Sequence, residues 1–98
     1  MTREEFEFLY DKAKMGHPDA IEIFLEAAMQ LTDQMAAEKN VKNNIRISEK
    51  LREERSAYIL KAVTNRVTYK TLDDFLEAMD RYLKQERVKA ILEVPKRR

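Results

Sequence analysis

The sequence predicts an all-α fold: a small four-helix domain that begins with an αα-hairpin and carries a long polar third helix. Three observations predict it. The 98 residues include one Gly and two Pro, so few positions interrupt regular backbone. Apolar residues recur at three- and four-residue spacing, the period of a helix face. The chain is 44% hydrophobic and 38% charged, enough to build apolar stripes and to clothe their outer faces.

The first helix is predicted over residues 3–15. Thr2 is its N-cap and Glu5, three residues on, completes a capping box in which each side chain takes up an orphan backbone N–H. Phe6, Leu9, Tyr10 and Ala13 then form one apolar face. Gly16 stands where a helix end needs a left-handed residue, and Pro18 suits the first turn of a new helix, where its missing N–H would be unpaired anyway. The second helix, residues 18–38, has the cleanest period: Ile21, Phe24, Leu25, Ala28, Leu31 and Met35. Ile23, Ala27 and Met29 widen its apolar sector, which points to contact on two sides. Lys39 to Asn44 has weaker helix formers and reads as a loop or a frayed helix start.

The third helix is predicted over residues 45–66. Between residues 48 and 56 its one large apolar side chain is Leu51, so this stretch reads as solvated, anchored by Ala57, Tyr58, Ile59, Leu60, Ala62 and Val63. Helices one, two and four are expected to form the body, with the third as an arm. Val67, Thr68 and Tyr69 read as an extended connector. Thr71 caps a fourth helix over residues 72–93, with Asp73 and Asp74 in its positively polarised first turn. Its face is Leu72, Phe75, Leu76, Met79, Tyr82 and Leu83, extended by Ile91 and Leu92. Pro95 stops it. The expected organisation is one helical domain over residues 1–94 and a basic tail over residues 95–98.

The formal net charge of +1 conceals a segregation. Residues 1–36 carry three basic and eight acidic side chains, residues 37–70 nine and four, and residues 71–98 seven and six. The chain has no cysteine, which removes disulfides, thiolate metal sites and cysteine nucleophiles and points to a reducing, cytoplasmic compartment. Glu4, Glu5, Glu7 and Asp11 keep the first residues from forming the apolar stretch of a signal peptide, and no window reaches the length of a membrane span. A membrane role is not expected.

Candidate chemistry is sparse. Asp73, Asp74, Glu77 and Asp80 share helix faces at spacings that can hold a hard cation. The spacing resembles the acidic helices of the all-α nucleotide pyrophosphohydrolases and, less closely, of the terpene synthases, which would imply Mg2+-dependent nucleotide hydrolysis as the nearest enzymatic reading. Those enzymes need a second acidic helix facing the first; Glu22 with Glu26, or Glu53 with Glu54, do not supply its pattern. His17 is the single histidine and sits in a turn, where capping or surface hydrogen bonding is its expected work. Ser48 and Ser56 have no histidine nearby in sequence, and one glycine cannot make a phosphate loop. No catalytic residue, metal ligand or cofactor is expected.

The string from Ala13 to Ala20, Ala-Lys-Met-Gly-His-Pro-Asp-Ala, resembles the helix junction of Sel1-type repeats and is similar to the start of sigma-factor-like and helix-turn-helix proteins. The likeness covers about twenty residues and consists mostly of a glycine C-cap followed by a new helix. No internal repeat accompanies it, so it implies no family.

Lys42, Arg46 and Lys50 are spaced by four and would lie on one stripe of a continuous helix, with Lys39 just before them. Such a stripe can follow a phosphate backbone. Glu49, Glu53 and Glu54 interleave with it, and the pI of about 7.9 is low for a dedicated nucleic-acid domain. Pairs such as Glu49 with Arg52 make a solvated or partner-facing helix the first reading.

The expected function is that of a small non-catalytic protein–protein interaction protein, adaptor or regulatory, that forms a homodimer or binds a helical partner. A domain of this size buries only about 60 to 65% of its extended-chain surface, so a second copy would add to its burial. Candidate interface residues are Ile23, Ala27, Met29, Leu51 and Tyr58. The alternative is a nucleic-acid-binding or transcription-associated accessory protein. It would use Lys39, Lys42, Arg46, Lys50, Arg97 and Arg98.

Overall fold

Thr2 starts the first helix as its sequence requires: its Oγ1 accepts a hydrogen bond from the Glu5 N–H at 3.1 Å, and the Glu5 carboxylate reaches back to the Thr2 N–H. In the computed structural model, which describes residues 1–65 and 68–93, helix α1 spans Arg3–Lys14. Gly16 takes the left-handed conformation, φ 91°, which lets the Gly16 and His17 N–H groups turn back to the Ala13 and Lys12 carbonyls. Pro18 then opens α2, Pro18–Lys42. His17 occupies the N-cap position, but its side chain makes no capping bond, which leaves surface hydrogen bonding of the two expected roles.

Helix α2 runs four residues past its expected end. Asn40 is buried and its Oδ1 accepts from Arg87 Nε at 3.0 Å, so a tertiary contact holds a residue of modest helix propensity in helical form. The helix then stops at an asparagine turn. The Asn43 amide donates to the Lys39 carbonyl at 2.7 Å, and Asn44 is left-handed at φ 57°. Residues 45–48, expected as helix, are irregular; Ser48 caps α3, Glu49–Thr64, by accepting from the Leu51 N–H at 3.2 Å. The expected last residue of this helix, Arg66, and Val67 of the connector lie outside the described residues. Tyr69 is not extended: its φ is 54°. Helix α4 spans Leu72–Glu93, with Thr71 Oγ1 accepting from the Asp74 N–H at 3.2 Å.

Among the described residues there are four helices and no strand. The core is aromatic at its centre. The Phe6 and Phe24 rings stack at 4.9 Å, and Tyr10 and Phe75 close around Phe24 at 5.3 and 5.4 Å. Ile59, Ala62, Val63, Leu72 and Met79 surround them.

Helix α3 is not an arm. Leu51, Arg55, Ile59, Ala62 and Val63 form its buried stripe, packed among the other helices. Lys14 also fastens it to α1. Its Nζ donates to the carbonyls of Ala62 at 3.4 Å, Thr68 at 2.6 Å and Asn65, taking up acceptors that a helix C-terminus leaves open. Burial lowers the pKa of the Lys14 ammonium from its ordinary value.

The side chains that meet across the bundle give each helix its direction. Phe24 meets Phe75 and Asn40 meets Arg87, so α2 and α4 run the same way. Arg55 meets Glu86 and Tyr58 meets Tyr82, so α3 runs against them. The body is 51 Å long and 23 by 20 Å across. The last turns of α2 and α4 share one end. There Ile91 and Leu92, expected to extend the buried face, are 54% and 78% exposed; Ala90, on the inward side of the same turn, is buried instead.

Candidate functional site

A small residue at position 27, with larger apolar side chains on either side, leaves a depression along α2. The N-terminal segment of α1 and the first turns of α4 wall it. The result is an open groove of about 410 Å³. Ala27, Gln30, Leu31 and Gln34 of α2 form its floor, Met1, Thr2, Arg3 and Phe6 one wall, and Leu72 and Leu76 the other. These α2 positions recur at three- and four-residue spacing with Ile23, so one helix face carries the floor outward to Ile23, which is 49% exposed. An Arg3–Asp73 ion pair ties the two walls together. Exposed carboxylates adjoin the lining in sequence: Glu26 beside Ala27, Asp73 beside Leu72, Glu77 beside Leu76.

Of the interface candidates, Ile23 and Ala27 therefore belong to one surface. The others do not. Met29 is half-buried against the core. Leu51 is buried inside the bundle, because α3 packs along its whole length and does not project. Tyr58 stacks on Tyr82 at 4.5 Å and shares a 2.8 Å hydrogen bond with the Tyr69 hydroxyl, facing the α3–α4 connector.

The basic candidates Lys39, Lys42, Arg46 and Lys50 are exposed, but not on one helical stripe. Lys39 and Lys42 end α2, Arg46 lies in the irregular connector, and Lys50 stands in the first turn of α3. The four-residue spacing is broken by the Asn43–Asn44 turn, whose side-chain bond to Lys39 outcompetes continued helix. Arg97, Arg98 and the rest of the expected tail lie outside the described residues.

The acidic motif of α4 is occupied by neighbouring cations. Asp73 pairs with Arg3, Glu77 with Arg81 at 3.4 Å, and Asp80 with Lys84 at 3.6 Å. Asp74 and Glu77 line a shallow depression of about 230 Å³ with Tyr69 and Arg81. Among the described residues no three acidic, histidine or cysteine side chains are placed to share a metal ion. No described helix is long and apolar enough to cross a membrane.

Sequence reasoning missed the polar centre of the bundle. Arg55 donates from Nε and from Nη2 to the two Glu86 oxygens, each at 2.8 Å, and from Nη1 to Thr32 Oγ1 at 2.9 Å and Asp33 Oδ1 at 2.6 Å. Arg52 holds the other Asp33 oxygen at 2.8 Å. Burial opposes the charge of Arg55, but the hydrogen bonds it donates to Glu86 and Asp33 outweigh it and raise its pKa above the ordinary value. For Asp33 burial also works against the charge. The Arg52 and Arg55 bonds prevail and hold its carboxyl below the usual range. A signal did exist: Thr32, Arg55 and Glu86 each stand at an apolar position of their own helix stripe.

Comparison with known proteins adds no assignment: the chain matches no family model, and no curated protein or solved structure is significantly similar to it.

Proposed function

We propose that this chain is a small non-catalytic protein–protein interaction protein, adaptor or regulatory in use, that self-associates. Its docking surface is the groove between α1, α2 and α4. The observation that carries this reading is the groove itself: an open, mostly apolar trough on the helix face that also carries exposed Ile23. Apolar surface of this kind, rimmed by charge, is what a partner side chain covers. Sedimentation velocity at low and high salt tests it. Self-association that weakens in high salt and is lost on blocking the groove with Ala27→Arg is expected; a monomer in both salts removes the reading.

A second reading draws on the four exposed cations Lys39, Lys42, Arg46 and Lys50, which flank the α2–α3 turn in sequence although no single helix carries all four. A nucleic-acid-binding accessory protein would use them as phosphate contacts. A low-salt gel shift with the parent and with Lys42→Ala/Arg46→Ala/Lys50→Ala decides it. No shift by the parent, or an undiminished shift by the variant, excludes this reading.

A further inference from the structure

We infer that the groove receives the far end of α4 from a second copy of this chain, so that copies associate head to tail. The inference rests on the groove being a docking surface and names its occupant.

The far end is a second unpartnered apolar surface. Val88, Ile91 and Leu92 lie on one exposed face of α4 at helical spacing, and Val41 stands exposed in the last turns of α2, which the Asn40–Arg87 bond keeps alongside. The groove is lined by Leu72 and Leu76 of the same α4. From Leu76 to Leu92 a straight helix rises about 24 Å. Within one copy the two surfaces are thus held apart by a rigid element, and they can meet only between copies.

Charge decides the pairing. Taking the Arg55–Glu86 layer as the divide, the described residues on the groove side (1–31, 56–65 and 68–85) carry seven basic and eleven acidic side chains. Those on the far side (34–54 and 87–93) carry seven basic and five acidic ones. Next to the apolar residues the contrast is local. Glu26, Asp73 and Glu77 adjoin a groove lining that holds one cation, Arg3, whereas Lys42 adjoins Val41, Arg87 and Lys89 flank Val88, and one carboxylate, Glu93, follows Leu92. A two-fold contact centred on the groove or on the far end would bring like charges together, and a two-fold pair that joined groove to far end twice would close at a dimer. Groove against far end brings opposite charges together. In the head-to-tail arrangement each pair of copies makes one groove–end contact, so each copy keeps one free surface and association continues into rings or open chains.

Sedimentation velocity on two complementary variants tests this. Ala27→Arg blocks the groove and leaves the far end intact; Ile91→Asp/Leu92→Asp blocks the far end and leaves the groove intact. Far-ultraviolet circular dichroism checks that both remain folded, and if Ala27→Arg does not, the exposed pair Glu22→Lys/Glu26→Lys replaces it. The parent is expected to form species larger than a dimer as concentration rises in low salt. Each variant alone stays monomeric, and their equimolar mixture forms a dimer, twice the monomer mass, that grows no further. A parent that stops at a dimer, a far-end variant that self-associates like the parent, or a mixture that stays monomeric overturns the head-to-tail inference. The first two of these leave the groove reading standing. A parent that is monomeric at every concentration removes both.

Discussion

Arg55 on α3 and Glu86 on α4 face each other through two parallel hydrogen bonds of 2.8 Å, with both side chains 1% exposed. Such a pair is strong in geometry and weak as net stabilisation, because removing two charges from water costs nearly what their attraction returns. Its clearest effect is on register. With Thr32 and Asp33 it aligns three helices at one level, and any slip would leave a buried charge unpaired.

Arg55→Met or Glu86→Leu alone is expected to destabilise the fold by about 3–5 kcal/mol, since each strands the other charge. The double substitution should recover most of that loss. Thr32 keeps its bonds to the Ala28 and Met29 carbonyls, and Asp33 keeps Arg52. Urea-unfolding midpoints of the four proteins measure this, and a double variant no better than the worse single would refute it.

Acid should weaken the fold through Asp33. Its carboxyl titrates lower in the folded chain than when unfolded, so its contribution is complete above the unfolded value of about 4 and disappears as pH falls through the folded value. Melting temperatures from pH 7 down to about 2 should fall less steeply in Asp33→Asn than in the parent. Equal slopes would show that Asp33 is not responsible.

Alkali acts in the opposite direction through tyrosine. Burial pushes Tyr10 up to about 12, and burial with the Tyr69 hydrogen bond does the same for Tyr58. The folded chain therefore prefers neutral phenols. Stability that is fully present below the ordinary value of about 10 is lost as pH rises toward 12. Tyrosinate absorbance of the folded protein should show a late component that Tyr10→Phe and Tyr58→Phe each diminish.

Lys14→Met should cost about 1.5–3 kcal/mol, because it withdraws a charged donor from the Ala62, Asn65 and Thr68 carbonyls. Lys14→Gln, which keeps a neutral donor, should cost less. A thermal melt that places both variants at the parent's midpoint would mean that water replaces the ammonium freely.

Where helix ends are set by local chemistry, the sequence was sufficient. The Thr2–Glu5 capping box, the left-handed Gly16, Pro18 and the Thr71 cap fall where spacing placed them, and α4 has its expected bounds. Errors arose where a distant contact outweighed a local preference. Asn40 stays helical because Arg87 binds it, and residues 45–48 leave the helix because the Asn43–Asn44 turn comes first. Leu51 looked like an isolated apolar residue on a solvated helix; with Arg55 and Ile59, four residues apart, it belongs to the buried stripe.

By itself, the sequence determined an all-α chain of four helices, the aromatic and aliphatic residues that fill its core, and the acidic start and basic middle along its length. The tertiary structure alone decided that α3 lies inside the bundle, that Arg55 is neutralised in the interior, and that Ile91 and Leu92 stand outside it. It also decided that α2 and α4 run in parallel, which turns a segregation of charge along the chain into a difference between the two ends of the molecule. The physical reason is one of range. Caps and helix period depend on residues three or four apart, whereas burial and partner choice depend on which helices meet, and at what level, a relation set by contacts spanning up to 70 residues of chain.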